Sequence, residues 1–154
     1  LNIRKYLKGY PNINDEIQRL QKELNFFIKC KHESYCTLKA IPADMSKVKV
    51  SGISDQVYAS VQVIVDRYDK KIEYYTDQIN RILDEKALFE MIWFSDILSN
   101  EDRAIIQYRC FEHLKWPEIA RIMKYSKRQC QRHLDDVIDK IQCEVDKLIG
   151  EKQM

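Results

Sequence analysis

Glycine and proline are scarce, with three of each in 154 residues. So few breakers exclude a loop-rich or low-complexity chain and suit long helices. Three isolated glycines also supply no phosphate-binding loop, which needs clustered glycines to bring backbone N–H groups onto an anion. No apolar run approaches the ~20 residues that span a bilayer, so no membrane association is expected. The opening LNIRKYLKGY is basic but lacks the apolar segment of a secretion signal. Net charge is only +2 although 32% of residues are charged. A chain that binds nucleic acid through its whole surface is thereby excluded, and DNA binding would have to come from a local patch. Five cysteines, at 30, 36, 110, 130 and 143, make an odd count without the spacing of a disulfide framework or a CxxC metal site. A cytoplasmic protein is expected. Cys110, Cys130 and Cys143 fall on apolar helix faces, where thiols act as small hydrophobes. Cys30, His32 and Cys36 lie close together but lack an evident fourth ligand. No histidine has a partner at metal-ligand helix spacing, and the carboxylates sit on amphipathic faces. No metal, no cofactor and no enzymatic activity are expected.

What the sequence does carry is concentrated in WPEIARIMKYSKRQCQRHL, residues 116–134. Ser126 is a good N-cap, and Gln129 stands three residues on, so the two form a capping box. Tyr125 and Cys130 occupy the positions of a hydrophobic staple across the same start. A helix therefore begins near Lys127. A shorter one begins at Pro117, whose missing N–H costs nothing at a first helical position, and runs to about Met123. Two short helices joined by about three residues have the spacing of a helix-turn-helix. Ile119, Ala120 and Met123 face inward from the first helix, and Cys130, Leu134 and Val137 from the second. Ala120 is small where the helices cross.

The outward face of the second helix then carries Lys127, Arg128, Gln129, Gln131 and Arg132. Arginine reads guanine, and glutamine adenine, through paired hydrogen bonds in the major groove. These five are the expected base contacts. Lys115, Arg121, Lys124 and Ser126 are the expected phosphate contacts. From Lys115 to His133 there are six basic residues and one acid, a charge of +5; from Leu134 to Glu151 there are six acids and two bases, a charge of −4. The positive charge is confined to the part that would meet phosphate. A basic helix face is most often only a solvated face. It is the coincidence of short helix, tight turn, capping box, small crossing residue and Arg/Gln-rich tip that favours DNA.

The stretch LSNEDRAIIQYRCFEHLKWPEIARIMKYSKRQCQRHLDDVIDKI resembles the helix-turn-helix of sigma-factor region 4, with its acid-rich helix, its E-I-A helix and its Ser-started recognition helix. Together with YLKGYPNINDEIQRLQKEL and the central SGISDQV, it is similar to the small phage and prophage regulators of the RinA/ArpU type in Gram-positive bacteria. The resemblance covers most of the chain, but only the C-terminal third has a specific motif. One departure is Lys124, at a turn position where glycine is often found. Lys124 must adopt the left-handed region, or the turn is shaped differently.

In chain order, Ile3, Tyr6 and Leu7 share one face of a short helix that Pro11 ends. Asn12 or Asn14 caps a second helix with a seam at Ile13, Ile17, Leu20, Leu24 and Phe27, reaching about Tyr35. Residues 37–54 read as a basic connector with Lys39, Lys47 and Lys49. Ser54 caps a helix of about forty residues, roughly 60 Å of rod. Its seam runs through Val57, Val61, Ile64, Tyr68, Ile72, Tyr75, Ile79 and Ile82, with a stutter near Tyr68, and continues through Phe89 and Trp93 to Leu98. The aromatics Tyr68, Tyr74, Tyr75, Phe89, Trp93 and Phe94 read as core. Residues 55–100 hold nine acids and five bases, so this helix contacts protein rather than nucleic acid. Ser99 caps a supporting helix, and Gly150 stops the last one.

The expected fold class is all-α: a long, coiled-coil-like N-terminal helical hairpin over 1–98 for oligomerisation or docking, then a helix-turn-helix domain over 99–150. The expected function is a sequence-specific transcriptional regulator that binds double-stranded DNA as a homodimer through the long helices. By resemblance its targets are phage or prophage late genes and its protein partner is RNA polymerase. One alternative is a phage DNA-packaging protein like the small terminase subunit, which would form rings. Another is a helical interaction module that binds no DNA.

Overall fold

A computed structural model describes residues 1–39 and 53–152. They form six α-helices: α1 (Ile3–Gly9), α2 (Ile13–Lys39), α3 (Ile53–Trp93), α4 (Asn100–Ile106), α5 (Trp116–Met123) and α6 (Lys127–Lys152). No strand occurs among the described residues, and the all-α class is as expected. Most of the expected connector, with Lys47 and Lys49, lies outside the described residues, as does the side chain of Ser54.

Two compact units are present: Leu1–Asn14 with Ile82–Met154, and Asp15–Arg81. This differs from a division at 98/99. The apolar stripe of α1 shows that it needs a partner but not which one. Ile3 and Leu7 are fully buried in one cluster with Phe89, Ile105, Ile119 and Ile141. The α1 backbone is tied to α6 by Gln142, whose Oε1 accepts from Ile3 N at 3.0 Å and whose Nε2 donates to Leu1 O at 3.0 Å. Pro11 does not end the helical path. It sits in a 3-10 turn, Tyr10–Asn12, that feeds α2 directly, so neither Asn12 nor Asn14 acts as a cap. Tyr6 packs against Phe89 with ring centroids 5.3 Å apart. Its buried hydroxyl has no hydrogen-bond partner among the described residues, and burial pushes its pKa well up.

α3 stops at Trp93 rather than Leu98. Arg103 closes that end: Nε donates to Trp93 O at 2.9 Å and Nη2 to Ser95 O at 2.6 Å. Phe94, beyond the stop, is 79% exposed and is not core. At the other end of the unit, Gly150 lies within α6, which reaches Lys152. Cys143 is exposed rather than on the apolar face, whereas Cys110 and Cys130 are buried as expected.

In the Asp15–Arg81 unit, α2 places Ile17 and Leu20 inward with Leu24 and Phe27 half-buried. Phe27 stacks on Tyr75 at 5.6 Å, and Lys31 pairs with Asp69. On α3 the buried residue is Val65, at 1% exposure, not Ile64, at 42%. The inward positions are therefore 61, 65, 68, 72, 75, 79 and 82. These spacings alternate four and three without interruption, and the expected stutter disappears. Val63 and Ile64 flank Val65, so hydrophobicity alone could not choose among three adjacent residues. Tyr74 is 56% exposed and also leaves the expected core.

Candidate nucleic-acid interface

The sequence of α5 sets both of its ends. Lys115 N donates to Glu118 at 2.9 Å, and Pro117 occupies the first turn. Ile119 is fully buried, and Ala120 is half-buried beneath the crossing with α6. Lys124 terminates the helix at φ 57°, ψ 33°, the left-handed conformation that its place in the turn demands. A non-glycine residue there costs about 1 kcal/mol. Tyr125 N then donates to Ala120 O at 3.2 Å, which closes the last turn.

The start of α6 is a full capping box. Ser126 N donates to Gln129 Oε1 at 2.9 Å, and Gln129 N donates to Ser126 Oγ at 3.2 Å. This fixes where the exposed basic face of α6 begins, and it bears on Gln129. Its carbonyl oxygen is engaged in the cap. A two-bond reading of adenine needs that oxygen together with the amide nitrogen. Tyr125 makes no buried staple: it is 41% exposed, and its hydroxyl reaches Glu101 at 3.3 Å.

Lys127, Arg128, Gln129 and Arg132 are all exposed on the first two turns of α6. Lys115, Arg121, Lys124 and Ser126 are exposed around them. No cation of this group forms an ion pair among the described residues. Gln131 departs from the group. It is half-buried and forms one wall of a cleft of about 640 Å³ with Arg4, Lys8, Arg109 and His113.

The residues behind this face hold it rigidly. Ser99 and Asp102 form a capping box at the start of α4. The buried Asp102 carboxylate also accepts from His133 Nε2 at 2.8 Å and pairs with Lys140 Nζ at 3.1 Å. Burial alone would raise its pKa. The hydrogen bonds from His133, Ser99 N and Lys140 outweigh that and hold it at about 2. His133 thus turns inward to α4 and is unavailable to phosphate. The linchpin role of Asp102 is invisible from α4 alone. The available signal is the pair His133 and Lys140, seven residues apart on one face of α6, a spacing that lets both reach one acid on the packed helix.

Between α4 and α5 the chain widens into a π turn, Gln107–Phe111, with Glu112 N bonding Gln107 O at 2.9 Å. His113 then takes φ 56° and reverses the chain. Arg109 stacks over Trp116 at 4.8 Å and donates to Leu114 O at 2.9 Å. Sequence reasoning gave Arg109 no role. Its place in the turn depends on the extra π residue, which periodicity does not reveal.

Among the described residues no cluster of His, Cys, Asp or Glu is arranged to hold a metal, and no helix is long and apolar enough to cross a membrane. Cys36 Sγ lies 3.7 Å from His32 Nδ1 without further ligands. No curated protein and no solved structure matches the chain. A family model described as "Protein of unknown function (DUF722)" matches residues 62–143, more than half of the 154 residues, and the chain belongs to that family.

Proposed function

We propose that this member of the family is a sequence-specific transcriptional regulator that binds double-stranded DNA through a helix-turn-helix formed by α5 and α6. The observation that carries the reading is the α6 tip. Lys127, Arg128 and Arg132 are exposed, and without an ion pair among the described residues, on its first turns, behind a left-handed turn at Lys124 and a complete cap at Ser126. A recognition helix presents its reading residues from its N-terminal turns. Arg128 and Arg132 contact base edges with Lys127, while Arg121, Lys124 and Lys115 meet phosphates, which supply affinity without sequence information. Gln129 organises the cap, with its amide N–H groups left for DNA.

The long helices serve as an antiparallel hairpin that pairs two copies or docks on RNA polymerase. The pairing of Phe27 with Tyr75 and of Lys31 with Asp69 favours that hairpin. Phage or prophage late promoters in a bacterial cytoplasm are the proposed setting, on the strength of the resemblance to RinA/ArpU-type regulators. The test is selection from a random duplex library at about 150 mM salt, where non-specific phosphate binding is weak. Recovery of one motif, from a protein of dimer mass, is the expected result. No enrichment from a folded protein would overturn the regulator. Ring-sized mass in that case would favour a packaging protein like the small terminase subunit.

A further inference from the structure

We propose that the cleft between α1, the π turn and the flank of α6 is a second DNA-backbone surface, gripping phosphates beside the groove that α6 enters. This rests on the DNA-binding reading above and adds to it a part of the chain outside the span matched by the family model, which begins at residue 62.

Arg4 and Lys8 come from α1, Arg109 from the π turn and His113 from the reversal after it. Gln131 joins them from α6, one turn beyond Lys127, so the cleft begins where the recognition face ends. A helix in the major groove is flanked by phosphates on both rims of a groove about 12 Å wide, and cations set beside the helix meet one rim. The lining holds three permanent cations and one carboxylate, Asp135, a charge of +2 with His113 neutral. Lys8 and Arg109 have no ion-pair partner among the described residues. Arg4 does pair with Asp135 at 2.8 Å, but both side chains are 55% exposed, and such pairs hold weakly in water. The pairing also removes from the flank of α6 a negative charge that would repel DNA.

Arg109 is preorganised. Its ring stacking and single carbonyl bond fix the plane of the guanidinium and leave most of its five N–H donors unengaged. An arginine held in this way loses little freedom when it bonds a phosphate. The three cations converge on one place: Arg4, Lys8 and Arg109 line the same cleft, with the buried Cys110 in its wall.

The experiment is duplex binding by the full chain across a salt series, for wild type, Lys8→Gln, Lys8→Glu, Arg109→Gln and Arg128→Ala. Removing one phosphate contact flattens the log–log salt slope by about 1. Lys8→Gln and Arg109→Gln are expected to do this and to weaken selected and random DNA alike, by roughly 3- to 10-fold near physiological salt. Lys8→Glu should lose more. Arg128→Ala should instead weaken the selected site preferentially. Lys8 is exposed, so its variants keep the fold, and thermal melting by circular dichroism verifies it. Unchanged slopes for both Lys8 variants, in a protein whose wild type binds duplex and whose Arg128→Ala loses specificity, would overturn this surface alone. A wild type that binds no duplex even at low salt would overturn the DNA-binding reading and this surface with it.

Discussion

The unit built from Leu1–Asn14 and Ile82–Met154 holds seventeen of the twenty-one buried apolar side chains among the described residues; Asp15–Arg81 holds only Ile17, Leu20, Val65 and Ile79. The first unit layers several short helices, each of which buries its stripe against more than one neighbour. The second has two long helices and one seam between them, so much apolar surface stays outside: Phe26, Tyr58, Val63, Ile64 and Tyr74 are 42–62% exposed. On the proposed reading, the difference suits two jobs. A tip that must place side chains accurately needs a closed core and fixed caps behind it. A two-helix layer cannot close by itself, and the surface it leaves bare is suited to another protein.

The largest effect that tests this contrast is a cavity. Ile119→Ala, in the closed core, should cost about 2–5 kcal/mol in urea unfolding. Val65→Ala, which removes less from a looser layer, should cost about 1–2 kcal/mol. Equal losses would break the distinction.

Next in size is the Asp102 linchpin. Its carboxyl is held at about 2, below its ordinary 3.8, so the unfolded chain takes up the proton first as pH falls. The stabilisation is therefore present above about pH 4 and is lost on descending through about pH 2. It amounts to about 2 kcal/mol. Asp102→Asn should lose a similar amount at neutral pH and flatten acid unfolding in that window.

At the DNA face, Arg128→Ala should cost about 1–3 kcal/mol on the selected site and blur its specificity, as read by competition binding. Two smaller changes act in the opposite direction. Lys124→Gly relieves the left-handed turn and should raise stability by about 1 kcal/mol. Tyr6→Phe removes a buried, unpartnered hydroxyl and should also stabilise by about 1 kcal/mol. Thermal melting checks both.

Much of this was legible in the chain itself. The helices, the Ser99 and Ser126 caps, the end of α5 at Met123 and the buried Cys110 and Cys130 all follow from local pattern. The capping box at Ser126 is legible in the chain, and the structure adds that it engages the Gln129 oxygen. The choice between Ile64 and Val65 needed the partner helix. The place of α1, the Asp102–His133–Lys140 cluster and the cleft around Arg109 needed long-range packing. A stripe or a charge on one element does not name its partner on another.

The docking of α1 on α6 also sets an order of assembly. Ile3 bonds Gln142 and Arg4 pairs with Asp135, across sequence separations of 139 and 131 residues. In the intervening unit Phe27 meets Tyr75 and Lys31 meets Asp69 across 48 and 38 residues, so the loops to be closed there are much shorter. The part of the core that Ile3 and Leu7 share with Ile105, Ile119 and Ile141 is complete only when α1 meets α6. On the ribosome, α1 is made long before α6, and Ile3 and Leu7 stay without that partner until α6 has emerged. A nascent chain that has translated α5 but not the second half of α6 carries Lys127, Arg128 and Arg132 without Gln142, the residue that ties α1 to α6.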